Sequence, residues 1–137
     1  MRNLLGAAAA FLFAIGMNAQ QEPIKIIFDV SSEDPEVHKT AARHLKAMSE
    51  AYPESQFEMV VYSGAYDLVT KKNSVAGETL EKAVQRDNVA VVVCQQTLNR
   101  HNLGMEDLIP GIRPVPDGIY ELIAKQQQGW GYIKESR

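Results

Sequence analysis

The sequence predicts an α/β domain built on a mostly parallel sheet of five strands, with helices on both faces. Three observations carry that expectation. Apolar, β-branched runs alternate along the chain with stretches of helical periodicity. The connections are short, so each helical stretch can serve as a right-handed crossover between neighbouring parallel strands. One run, "VAVVVC" (89–94), is almost continuously apolar, as a central strand covered on both faces must be. At 137 residues the chain suits one domain with a core that needs no metal or disulfide staple.

The elements follow in order. "IKIIFDV" (24–30) reads as the first strand. Asp34 caps the next helix and Pro35 takes its first position, where a missing N–H costs nothing. Val37, Ala41, Leu45, Met48 and Tyr52 recur at helical spacing as one apolar stripe, and Pro53 ends it. "FEMVVYSG" (57–64) is the second strand, with Gly64 at the turn, and "AYDLVTKK" (65–72) suits a short helix. Residues 75–86 form the next helix, burying Leu80, Ala83 and Val84, and "RDN" turns the chain into the apolar strand. "QQTLNR" (95–100) continues as a short helix, and "MEDLIPGIRPVP" (105–116) holds a helical turn and a short strand at 112–115. The last helix spans 117–128, with Ile119, Leu122 and Ile123 inward and Gly129 as its stop. "WGYIK" (130–134) is the fifth strand; no repeat, linker or low-complexity tract interrupts the pattern.

The first nineteen residues stand apart. "MRNLLGAAAAFLFAIGMNA" carries one charge, Arg2, then an apolar run that stops at Met17. That run is short for a bilayer span, which needs about 20 residues. It matches a signal peptide cut near Ala19, leaving 20–137 as a single domain. The expected location is periplasmic or secreted, with no membrane attachment after cleavage. No Cys lies near the cut to carry a lipid. Removing Arg2 leaves 13 basic and 17 acidic residues, a charge of −4. Scattered Lys and Arg with a net acidic balance argue against a nucleic-acid partner.

Export makes Cys94, the one cysteine of the chain, unusual. Exported proteins use cysteines in pairs, so a lone thiol is buried and inert, bonded to another chain, or kept for reactivity. Ligands of parallel sheets bind beyond the carboxyl ends of the strands, and Cys94 falls on that edge. Ser31 and Ser32 after the first strand and Ser63 and Gly64 after the second share it. A thiol at a helix start meets unpaired N–H groups that favour the thiolate, and Gln95, Gln96 and Thr97 can add neutral donors. Cys94 is therefore the candidate nucleophile, and Ser63, Gly64, Gln95, Gln96 and Thr97 are candidate substrate contacts.

Other chemistries lack a pattern. His38 and His44 are six residues apart on one helix, which does not aim them at one metal, and His101 stands alone; each reads as a surface or helix-border histidine. No phosphate-loop or dinucleotide glycine pattern occurs, so neither a cofactor nor a metal is expected. Lys71 and Lys72 read as a solvated loop, and Trp130 and Tyr132 as packing for the last strand.

The stretches "FEMVVYSGAYDLV", "NVAVVVCQQTLNR" and "DLIPGIRPVPDGIYELIAKQQQGWGYIK" together resemble the DsrE/DsrF-like family, in this order and across residues 24–134. The most specific parts are the apolar strand ending in Cys, with Thr-Leu three and four residues on, and the tail from "PGI" to "GWGYIK". The resemblance implies a three-layer α/β/α domain of flavodoxin or Rossmann type that assembles as a homotrimer or hexamer. It also implies a sulfur-relay role, in which a cysteine carries sulfur as a persulfide between a donor and an acceptor protein. Carried onto this chain, that role falls on Cys94. Gln95 and Gln96 depart from the small residue and Asn that often follow the family's cysteine. Two other readings of Cys94 stay open: a structural thiol in a non-catalytic binding or assembly module, and a redox-sensing thiol.

Overall fold

A computed structural model describes residues 21–137; the expected leader, 1–19, lies outside the described residues. Five strands form one sheet: β1 (Lys25–Val30), β2 (Gln56–Val61), β3 (Val89–Cys94), β4 (Arg113–Val115) and β5 (Gly131–Lys134). Their order is β4-β3-β2-β1-β5, and every pairing is parallel. Four α-helices connect them: α1 (Pro35–Ala51), α2 (Gly77–Ala83), α3 (Gln95–Arg100) and α4 (Gly118–Gln127). Among the described residues no helix is long and apolar enough to cross a membrane.

The order dictates the layering. From β1 to β4 the chain steps along the sheet in one direction, so right-handed crossovers place α1, α2 and α3 on the same face. From β4 it returns across three strands to β5, which puts α4 on the other face. Packing agrees. The first face holds the large core, where Ala41 and Leu45 of α1, Leu80 of α2 and Leu98 of α3 close over Phe28, Met59, Val61 and Val93. The second holds a small cluster of Ile27, Val60, Val92, Val115 and Leu122, flanked by Tyr62 and Trp130.

Helix α1 starts where its capping chemistry places it. The Asp34 carboxylate accepts the Glu36 N–H at 2.9 Å, with Pro35 at the first turn. Its buried stripe is narrower than the spacing suggested, because Tyr52 lies beyond the helix and is exposed. His38, expected at a surface or border, is buried and donates from Nε2 to the Ser32 carbonyl at 2.7 Å. That bond ties the helix to the loop after β1. His44 faces water and meets the buried Glu135 carboxylate at 3.0 Å.

Several expectations need correction. The strand "VAVVVC" is interior but not central; β2 holds the centre, with β3 beside it. The short helix expected at 65–72 is a 3₁₀ helix at Ser63–Val69, and α2 is shorter than 75–86. Ile119 and Ile123 do not point inward but are 61% and 51% exposed. Helix α4 has a whole face to cover alone, and it touches the sheet along the narrow line of Gly118 and Leu122. Tyr132 is not packing for the last strand either: all four residues of β5 are exposed.

One carboxylate on the second face is costly. Glu58, in mid-β2, is buried beneath α4 and meets Lys125 Nζ at 3.1 Å. Burial pushes its carboxyl up to about 7; a hydrogen bond with Glu121 adds to the rise, and Lys125 opposes it.

Candidate functional site

The layering also decides where the sheet can hold a ligand. At the carboxyl edge, the chain leaves β3 toward the first face and leaves β4 toward the second. Neighbouring strands whose connections diverge in this way open a crevice between them, the usual ligand site of parallel sheets. Cys94 is the last residue of β3 and pairs with Val115, the last of β4. The thiol therefore stands at the switch point itself. By strand alternation it shares the α4 face with Val92. It is 6% exposed.

Two helices begin at this thiol. Cys94 is the N-cap of α3, in extended conformation (φ −64°, ψ 122°). The start of α3 makes no cap hydrogen bond to the Cys94 side chain, but the backbone N–H groups of Gln96 and Thr97 and the Thr97 hydroxyl lie near enough to favour its thiolate. The third backbone donor comes from the opposite side. At the start of α4, Asp117 Oδ1 accepts the N–H groups of Ile119 and Tyr120 at 2.9 and 3.1 Å. That cap leaves the first helical N–H, on Gly118, free for the sulfur. A Cβ at Gly118 would lie 3.2 Å from Cys94 Cβ and 3.3 Å from Tyr62 Cβ, so the close approach of α4 needs glycine there.

These donors outweigh burial. Burial alone raises the Cys94 pKa, but the N–H groups of Gly118, Thr97 and Gln96, with the Thr97 hydroxyl, bring it below the usual thiol range. Thr97 is itself held: it is 1% exposed, and its Oγ1 accepts the Ser63 N–H at 3.0 Å. Ser63 takes a left-handed conformation (φ 55°), a costly one for serine, and its bond to Thr97 holds it there. The loop after β2 is thus latched to the helix that carries the thiol.

The predicted contacts separate into two groups. Gln96 and Thr97 face the sulfur through their backbones, and Ser63 acts through Thr97. Gln95 and Gly64 do not join them. Gln95 Nε2 donates along its own helix to Asn99 at 2.9 Å. Gly64 is a close-packing position, where a Cβ would meet the Glu33 backbone nitrogen at 3.2 Å. Ser31 stands at the same edge and accepts from Lys134, whereas the Ser32 hydroxyl accepts the Asp34 N–H. Sequence reasoning missed Gly118 and Tyr62. The pattern Asp117-Gly118 at a helix start held a signal for the first, because a capping Asp leaves the next N–H unclaimed. Among the described residues no cluster of His, Cys, Asp and Glu suits a metal. A cavity of about 630 Å³ lies at the opposite, amino edge, lined by Pro23, Tyr52, Pro53 and Ser55, away from this chemistry.

A family model described as DsrE/DsrF-like matches residues 25–134. The chain belongs to the DsrE/DsrF-like family. The match spans every strand and both helix starts at the thiol. No curated protein matches the chain. Solved structures share the fold. The structure of MTH1491, a protein of unknown function from Methanobacterium thermoautotrophicum, aligns with a TM-score of 0.74 at 19% identity, covering 81% of this chain and 98% of that one. The ychN protein from E. coli aligns at 0.64 and 16% identity, over 82% and 98% of the two chains. BT1422, a conserved protein of unknown function from Bacteroides thetaiotaomicron, aligns at 0.62 and 13% identity, over 80% and 93%. At these identities the likeness establishes the α/β fold of this DsrE/DsrF-like chain and nothing finer.

Proposed function

We propose that the protein is an exported sulfur carrier of sulfur-relay type, in which Cys94 holds sulfane sulfur as a persulfide. The observation that supports the reading best is the place of the thiol, at the sheet's switch point between the starts of two helices whose N–H groups favour the thiolate. Family membership supports it independently. The Cys94 thiolate attacks the outer sulfur of a persulfide donor R–S–SH. The donor's S–S bond breaks, R–S⁻ leaves, and a new S–S bond forms on Cys94. The N–H groups that favour the thiolate also favour the persulfide anion while it waits. An acceptor thiolate then attacks the terminal sulfur and regenerates the Cys94 thiolate, with no net oxidation.

The mature chain is exported after cleavage near Ala19 and works as a homo-oligomer, a trimer or hexamer, alongside a sulfur donor or acceptor protein. Exposed Ile119, Tyr120 and Ile123 on α4 supply apolar surface for such assembly. Amino-terminal sequencing of the exported protein checks the cleavage, and a monomeric sedimentation mass would refute the assembly.

Intact-mass measurement after incubation with a persulfide donor tests the central step. A reducible one-sulfur adduct is expected on the wild type and none on Cys94→Ser. An adduct that survives Cys94→Ser would sink the proposal. The 6% exposure of Cys94 favours one rival, a packed thiol in an assembly module. That rival predicts slow alkylation of the folded protein at neutral pH, whereas the carrier reading predicts fast alkylation with a midpoint below the ordinary thiol range.

A further inference from the structure

The α4 face of the sheet carries a second polar group at the same edge as the thiol. Asp29 of β1 is 4% exposed, an expensive place for a carboxylate. Both of its oxygens are used. Oδ2 accepts the Tyr132 hydroxyl, and Oδ1 accepts from Lys134 Nζ at 3.0 Å. Lys134 Nζ also donates to Ser31 Oγ at 2.6 Å and lies 5.6 Å from the centre of the Tyr62 ring. The register fixes these side chains on one face. Asp29 pairs with Val60 and Lys134, and Val60 pairs with Val92, two residues before Cys94.

The arrangement fixes a cation and leaves it usable. Lys134 has three N–H donors, and Asp29 and Ser31 take two. Its side chain is 43% exposed, so the ammonium stays open to solvent at this edge. Tyr132 remains a neutral donor: its bond to Asp29, then burial, pushes its hydroxyl up to about 12. Tyr62 spans the gap, because its Cβ and that of Cys94 flank the same point beside Gly118. Asp29, Tyr132 and Lys134 lie outside the apolar cluster of this face, which Tyr62 flanks.

Distance selects the ligand. Lys134 stands on β5, but its Nζ reaches back to Asp29 on β1, two strand spacings from β3, about 10 Å. A compact inorganic anion carries its charge next to its sulfur and cannot reach both ends. An organic persulfide with a carboxylate several bonds from its sulfur can. We propose that Lys134, held by Asp29 and Ser31 beside Tyr62, is the carboxylate-binding end of the Cys94 site, and that the donor is a small carboxylate-bearing organic persulfide. This rests on the persulfide reading of Cys94. The transfer is the one already written, with the donor's R group held by its carboxylate at Lys134 while R–S⁻ departs.

The test compares donors that differ only in remote charge. Glutathione persulfide and the diethyl ester of the same persulfide are supplied at equal, limiting concentration, and one-sulfur loading of Cys94 is followed by intact mass. Wild type is expected to load faster from the free acid. Lys134→Gln should slow that loading about five-fold, the worth of one partly exposed ion pair, and leave loading from the ester unchanged. Lys134→Arg should restore the preference. Equal loading of wild type from both donors overturns the proposal, as does a Lys134→Gln loss that is the same for both. Wild type that takes sulfur from neither donor overturns the carrier reading itself, an outcome distinct from those two.

Discussion

The two faces of the sheet divide the work of this protein unequally. The face under α1, α2 and α3 buries a continuous core of twenty residues, whereas the face under α4 buries five. On the strands themselves the buried carboxylates and the thiol, Glu58, Asp29 and Cys94, all point to the α4 side, whereas the buried polar groups of the other face, such as His38, Ser49 and Thr97, sit on its helices. A face closed by three helices can be filled with Leu, Val and Phe and left alone. A face crossed by one ten-residue helix keeps open margins, and there a thiol, a cation and a buried carboxylate can meet a ligand. The lesson is that stability and chemistry are separated by topology, because the one long return crossover of the chain leaves its face half covered.

Mutations that probe each face can break or sharpen that contrast. The largest effect is expected for Leu45→Ala on the filled face, where Leu45 is 0% exposed; it should lose about 4 kcal/mol in urea denaturation. Leu122→Ala, in the five-residue cluster, should lose about 2 kcal/mol. Equal losses would break the contrast.

Next comes pH. Glu58 holds its proton up to about 7 in the folded state, against 4.5 when unfolded. A raised carboxyl pKa means that the folded state binds the extra proton. Its stabilising effect is complete below the unfolded pKa and is lost as pH rises through the folded one. Stability should therefore fall by roughly 3 kcal/mol from this group between those two values. Glu58→Gln should flatten that slope in denaturation midpoints measured across pH, and an unchanged slope would place the titration elsewhere.

The smallest cost in stability belongs to the site. Gly118→Ala should cost about 1 kcal/mol by crowding Cys94 and Tyr62. Its clearer readout is the thiol. Pushing the Gly118 N–H away from the sulfur should move the alkylation midpoint of Cys94 toward higher pH. A midpoint that does not move would show that α4 supplies no donor to the thiolate.

Much of this was legible from residue order. Asp34-Pro35 marks the start of α1, and the β-branched runs mark β1, β2 and β3, because cap chemistry and strand preference act locally. The thiol at a strand end was legible for the same reason. The failures share one cause. Ile119 and Ile123 repeat at helical spacing beside Leu122, and the pattern cannot say whether a helix is covered on one side or two. Histidine 38 looked like a border residue because its acceptor, the Ser32 carbonyl, precedes its own helix.

The sequence by itself determined a five-stranded α/β domain, its α1 cap, the apolar strands of its core and a lone thiol at the edge where parallel sheets bind ligands. Those properties depend on near neighbours along the chain and on periodicity. Only the tertiary structure decided the strand order, and with it the place where connections diverge between β3 and β4. It also brought Gly118, Tyr62 and Lys134 to the same edge as Cys94 from positions far apart in sequence. That meeting depends on a crossover which passes over three strands, and no local signal encodes the length of that return.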